Sequence, residues 1–227
     1  DNGKLMGSTW ADYIRLDLEH GPLSLEGVKN FMLGLVDAGK TKSGHKTPAV
    51  VAELPFDLSS REVAQSNVWI AKQLLACGVH GLLLCHAESD QAVKEVIEGI
   101  RYPIHYNKDI NLGIGKRGHG GEKFAAEIWG ISSKDYFHIA DPWPLNPNGE
   151  IIIGVKMENK RAAENCERVS AVPGLCFGEW GLGDMSLSYG YEEKPSFPLP
   201  KELEEVRERI WNACKKSNLF FLKKILL

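Results

Sequence analysis

The sequence predicts an α/β fold on a parallel sheet, either doubly wound or closed as a TIM-type barrel. Two observations carry this expectation. Short apolar runs of strand type alternate with stretches whose apolar residues recur at intervals of three and four, the mark of successive βα units. The length of 227 residues, with 43% hydrophobic and 25% charged, suits one globular domain able to bury a core.

Taken in order, Tyr13–Leu18 opens as a strand of alternating character, with Tyr13, Arg15, Asp17 and Glu19 on one face and Ile14, Leu16 and Leu18 on the other. Ser24 is suited to cap a helix carrying Leu25, Val28, Met32 and Leu35 along one stripe. Ala49–Leu54 and Gly81–Cys85 follow as strands, and Ser89 begins a second helix with Val93, Val96, Ile97 and Ile100. Residues 101–148 read as a long connection rich in Gly, Pro and Trp, of the kind that forms lids and substrate walls, with Trp129 a candidate substrate contact. Ile151–Met157 and Leu175–Phe177 are the next strands, Pro200 opens a helix bearing Leu203, Val206 and Ile210, and Leu219–Leu222 is a sixth strand.

A formal net charge of −3 leaves no basic footprint for nucleic acid or an anionic membrane. No apolar run is long enough to span a bilayer, and the start DNGKLMGSTW has no secretory pattern. The five cysteines are odd in number and scattered, which suits free thiols in a reducing cytoplasm.

Two motifs mislead. Gly34–Thr41 matches GxxxxGK[ST], whose glycine loop must leave a strand and open a helix to cradle phosphate. Here the match begins inside a helix, Gly39 is its stop, and a strand follows. Gly113–Gly118 matches GxGxxG but follows no strand, so it reads as a loop whose Lys116 and Arg117 could still meet an anionic substrate.

The residues that carry chemistry fall at the C-terminal ends of predicted strands, where TIM-barrel sites assemble. Asp17 and His20 follow the first strand, His86 the third, Glu158 the fourth, and Asp184 lies in the glycine-rich Gly181–Ser186 segment. Carboxylates from separate strand ends, with no adjacent Cys, suit a hard divalent ion, Mg²⁺ or Mn²⁺, with Co²⁺ a third candidate. Such an ion can bind the carboxylate and keto oxygen of a 2-keto acid and stabilise the enolate left when the C3–C4 bond breaks. Each group also has a structural reading: Asp184 as a turn cap, His20 and His86 as packing histidines.

At these residues the sequence resembles the HpcH/HpaI aldolase and citrate lyase family of class II pyruvate aldolases. Asp17-Leu-Glu-His20-Gly-Pro is similar to its D-x-E-H-x-P segment, and Gly78–Leu84 leading to His86-Ala-Glu resembles its fourth strand. Arg101-Tyr-Pro matches its stop after the next helix, and Gly181–Gly190 its ligand loop. The resemblance implies a TIM-type (β/α)8 barrel, Glu158 and Asp184 as metal ligands, and Asp17 with His20 as an acid/base dyad. It implies that the backbone N–H groups of Gly183 and Asp184 hold the keto-acid carboxylate, that His86 faces substrate, and that the barrels assemble as trimers or hexamers. The implied reaction is cleavage of a hydroxylated 2-keto acid to pyruvate and an aldehyde. The alternatives are a decarboxylase or carbon–carbon synthase like macrophomate synthase, or a non-catalytic barrel.

Three departures stand out. The family's third-strand Arg is replaced by Glu53, the first strand and helix are missing before Asp1, and Lys223–Leu227 ends the chain ahead of an eighth strand. The expectation is therefore a single domain, truncated at both ends and lacking the first and last strands. Strand alternation turns Arg15 into the barrel, about 7 Å below Asp17. There it could replace the absent Arg as a catalytic cation, or simply pair with Glu53.

Overall fold

The structure, a computed structural model, describes residues 2–222. Lys223–Leu227, and with them the expected absence of an eighth strand, lie outside the described residues. After a short helix α1 (Asn2–Met6), the chain alternates strand and helix: β1 (Tyr13–Asp17), α2 (Leu25–Asp37), β2 (Ala49–Glu53), α3 (Arg61–Ala76), β3 (Gly81–Leu84) and α4 (Asp90–Ile100). It continues through α5 (Glu122–Trp129), α6 (Ser133–Ile139), β4 (Pro142–Trp143), β5 (Ile151–Met157), α7 (Lys160–Ser170), β6 (Phe177–Trp180), α8 (Leu182–Ser188), α9 (Lys201–Lys216) and β7 (Phe220–Leu222). Ser24 and Ser89 cap α2 and α4 as expected, each accepting a backbone N–H three residues on.

The strands run parallel in the order β1-β2-β3-β5-β6-β7, with β4 paired to the start of β5. The sheet is curled. At about 4.8 Å per strand, β1 and β6 would be roughly 19 Å apart in a flat sheet. Yet Arg15 on β1 bonds Glu179 on β6 at 2.9 Å, across the concave face. The result is a half-barrel of TIM type, as the resemblance implies.

Strand alternation divides the side chains into two layers. Outward residues such as Ile14, Val50, Ala52, Leu82, Leu84, Ile151, Ile153, Val155 and Met157 join the helices in one large core. Inward residues fill the hollow in tiers. Val51, Leu83, Cys176 and Phe177 form an apolar floor, flanked by Tyr13, Ile152 and Leu222. Gly154 is part of that floor, because a Cβ there would stand 2.2 Å from the Phe177 ring. Above it the inward positions turn polar: Arg15, Glu53, Lys156 and Glu179.

Three sequence expectations are corrected. The connection 101–148 is not an irregular lid; it holds a 3-10 turn, α5, α6 and β4. The strand expected at Leu175–Phe177 lies at Phe177–Trp180, which turns Glu179 inward. Lys116 does not reach a substrate but pairs with Glu95 and Glu98 on α4, and Arg117 is buried against Tyr102 and Tyr136. The Walker-like match behaves as expected: α2 ends at Asp37 and Gly39 adopts φ +90° ahead of β2. Among the described residues, no helix is long and apolar enough to cross a membrane.

Candidate active site

The C-terminal strand ends bring together the residues from β1, β2, β3 and β5. Lys156 and Glu158 leave β5 on its inner face, and both are buried. Lys156 Nζ lies 2.5 Å from Glu19 Oε2, 2.8 Å from Glu53 Oε1 and 3.1 Å from Glu158 Oε2. Burial works against its charge, but the bonds to Glu19 and Glu53 prevail and raise its pKa. Burial likewise opposes ionisation of Glu19, yet bonds from His86 and Lys156 hold its carboxyl far below the usual range.

His86 follows β3 in a left-handed conformation, φ +43°, uncommon for a residue with a side chain. That turn aims its backbone N–H at Glu158 Oε1 (3.2 Å) and its Nε2 at Glu19 Oε1 (3.2 Å). Asn159 braces the other ring nitrogen at 3.3 Å while capping α7 through Ala162 N–H. The bond to Glu19, with Glu158 and Asp57 nearby, pushes the imidazole up to about 9 against the desolvation that opposes it. Glu158 is pushed up to about 7, chiefly by burial and in part by Glu19, with Lys156 and the His86 N–H pulling the other way.

Asp17 and His20 form a pair at the exposed rim. Asp17 Oδ1 accepts the backbone N–H of Glu19 and of His20, and His20 Nδ1 lies 3.1 Å from Asp17 Oδ2. Partial burial would raise the Asp17 pKa, but the bonds from His20 and Glu19 outweigh it and leave it lowered. With the proton on Nδ1, His20 presents Nε2 as a free base.

Asp184 stands in the first turn of α8. Gly181, which begins that helix, is so close to Glu158 that a Cβ there would lie 2.4 Å from its Oε2. The helix carrying Asp184 and the backbone N–H groups of Gly183 and Asp184 therefore starts directly beside Glu158. Asp184 does not join the two tight clusters of potential ligands formed by the described residues: Glu19, His86 and Glu158, and Glu19, Glu53 and Cys85.

A divalent ion fits this donor set. Glu158 Oε2 is buried without a hydrogen bond, although Lys156 stands near it. An orphaned carboxylate lone pair in an oxygen-rich, acidic cluster is what a hard cation requires.

Two of the expected site residues serve elsewhere. Arg15 does turn inward, but all three guanidinium nitrogens are engaged by Glu53 and Glu179 at 2.6–3.0 Å, so it acts as a strut. Trp129 does not reach the carboxylates. It closes α5 near the start of β3, donating Nε1 to Gly78 O at 2.9 Å and stacking on His80 at 5.1 Å. Lys156 is a participant with no expected role in the sequence, and Glu19 is expected only as part of the acidic segment after the first strand. A lone charge in the run Ile-Ile-Ile-Gly-Val-Lys-Met, two residues before Glu158, was the available signal.

A parallel half-barrel with an acid, imidazole and ammonium cluster at its C-terminal strand ends is the architecture of a barrel enzyme. Known proteins place it further. The chain is 22% identical over 217 residues to hydroxypyruvate/pyruvate aldolase of Roseobacter denitrificans, covering 95% of this chain and 72% of the relative. It is 26% identical over 154 residues to 2-keto-3-deoxy-L-rhamnonate aldolase of Klebsiella pneumoniae, covering 67% of this chain and 51% of the relative. A solved HpcH/HpaI aldolase/citrate lyase family protein from Burkholderia cenocepacia superposes with a TM-score of 0.71 at 21% identity, over 97% of this chain and 73% of that one. No family model matches. The chain spans about half to under three quarters of the length of these curated relatives. The resemblance to the HpcH/HpaI aldolase/citrate lyase family holds: its homologues are aldolases, and its fold is theirs.

Proposed function

We propose that the protein is a divalent-metal-dependent carbon–carbon lyase that cleaves a hydroxylated 2-keto acid to pyruvate and an aldehyde. The observation that carries this reading is Glu158, buried with an unbonded oxygen beside the start of the Asp184 helix. Glu158 and Asp184 would hold the ion, Mg²⁺ or Mn²⁺, which when bound supplies Lewis acidity toward the keto group. The backbone N–H groups of Gly183 and Asp184, left uncapped by any side chain at the start of α8, would bind the substrate carboxylate. His20, oriented by Asp17, would accept the hydroxyl proton as the C3–C4 bond breaks and return it to the pyruvate methyl carbon. His86 would keep Glu158 in place through its backbone N–H and present its ring to the site.

The reading extends to a soluble, cytoplasmic homo-oligomer, a trimer or hexamer. Trp10 and Leu5, exposed to 93% and 75%, support a further surface being covered. Light scattering at the mass of one chain would count against it.

Pyruvate release from 4-hydroxy-2-keto acids, coupled to NADH oxidation by lactate dehydrogenase, tests the activity. The expected result is turnover with Mg²⁺ or Mn²⁺ that EDTA abolishes. Turnover unaffected by EDTA would contradict the assignment.

A further inference from the structure

The site contains a cation that the function so far leaves unused. Lys156 is a buried ammonium on an otherwise apolar strand, with Glu158 two residues further along the same inner face. An ammonium has three donors, and three carboxylates surround this one. Two of these contacts, to Glu19 and Glu53 at 2.5 and 2.8 Å, anchor it to separate elements. The third, to Glu158 Oε2 at 3.1 Å, is the longest and leaves that oxygen without a hydrogen bond. Glu158 Oε1 is held by the His86 backbone N–H, but Oε2 meets Lys156 through proximity of charge alone, and it is the contact most easily surrendered. Arg15 cannot take this part, since Glu53 and Glu179 engage every nitrogen of its guanidinium.

We propose that Lys156 is a further catalytic residue, one that balances Glu158 while no ion is bound and donates to the substrate's keto oxygen once an ion is bound. The inference rests on the reading of this site as a metal-dependent lyase. A divalent ion on Glu158 takes over the charge that Lys156 now balances, and repulsion between the two cations releases the third ammonium donor. Glu19 and Glu53 still fix the other two, so the freed N–H is directed and already desolvated. In the cleavage step the hydroxyl proton passes to the base and the C3–C4 bond breaks. Its electron pair forms the C2–C3 double bond, and the keto π pair moves onto oxygen. Lys156 donates a hydrogen bond to that oxygen and keeps its proton throughout. Preorganised donors of this kind act where charge develops in a water-poor site.

The test compares wild type with K156Q and with K156Q/E53Q, which keeps the net charge. Mn²⁺ binding is read from the free-ion EPR signal, and exchange of pyruvate methyl protons in D₂O by NMR. With its cationic neighbour removed, K156Q is expected to bind Mn²⁺ about tenfold more tightly or better. At saturating Mn²⁺, methyl exchange should slow by roughly 10²–10³. Should K156Q not fold, the double variant must show the same slowing while still binding Mn²⁺. A folded variant that exchanges at the wild-type rate overturns the proposal, as does a K156Q that binds Mn²⁺ more weakly. If wild type neither binds Mn²⁺ nor exchanges, the lyase reading falls and takes this role with it. If wild type does both and the variants match it, only the role of Lys156 falls.

Discussion

A histidine tied through Nδ1 to a carboxylate offers its other nitrogen to whatever occupies the space above it, and His20 does so at an exposed rim. Its 61% exposed side chain contributes little to packing. His20→Ala should therefore leave the melting temperature unchanged while lowering turnover by roughly 10²–10⁴. An unchanged rate at saturating substrate would remove His20 from the mechanism. His86 and Glu158 give a second prediction, in pH. The folded pKa of His86, about 9, lies above its ordinary 6.5, so its stabilisation is present below pH 6.5 and lost as pH rises through 9. Glu158, about 7 against 4.5, also binds its proton more tightly when folded, so stability falls as pH rises from 4.5 through 7. In EDTA the melting temperature should fall between pH 6 and 9.5, and His86→Asn, which tolerates positive φ, should flatten the upper part of that slope. A flat or rising profile in wild type would mean the cluster is charged differently. Asp17, His20, His86 and Glu158 were legible because polar residues stand out at the ends of apolar strands. Lys156 was not, because one lysine within a buried strand looks like an interruption until Glu19 and Glu53, distant in sequence, are seen beside it together with Glu158.

At the level of elements, helices with large apolar residues were readable and those with small ones were not. α2 and α4 show Val, Met, Leu and Ile at helical spacing behind serine caps. No helical stripe stands out in the sequence of α7, whose buried face is Ala162, Ala163, Cys166, Val169 and Ser170, nor in α3, where Ala64 and Ala71 interrupt the stripe. Small residues let helices approach closely but give a faint periodic signal. The connection 101–148 failed for a related reason, since α5 and α6 have only 8 and 7 residues. The inner floor of the half-barrel supplies a prediction at this scale. Gly154 leaves room for the Phe177 ring, so Gly154→Ala should destabilise by about 1–3 kcal/mol through overpacking. Urea unfolding would measure it, and Phe177→Leu in the same chain should recover most of the loss. Two strictly additive effects would show that the ring and the glycine do not share that space.

For the molecule as a whole, curvature converts residues far apart in the sheet into neighbours. Arg15 and Glu179 meet across the hollow, and Lys156 reaches acids from the β1 loop and β2 while its own strand carries Glu158. None of these pairs follows from local spacing, which is why the sequence left Arg15 between a catalytic and a pairing role. Glu53 lies between Arg15 and Lys156, bonding both, so the site carries an internal cation. The proposed lyase activity rests on this acidic cluster binding a divalent ion and using it to labilise a keto acid. Its most direct measurement is the NMR rate of methyl-proton loss from pyruvate in D₂O, with and without Mg²⁺ or Mn²⁺, for wild type and Glu158→Gln. The expected result is metal-dependent exchange in wild type and its loss in a folded Glu158→Gln protein. Exchange that persists without metal, or that survives in Glu158→Gln, would contradict it.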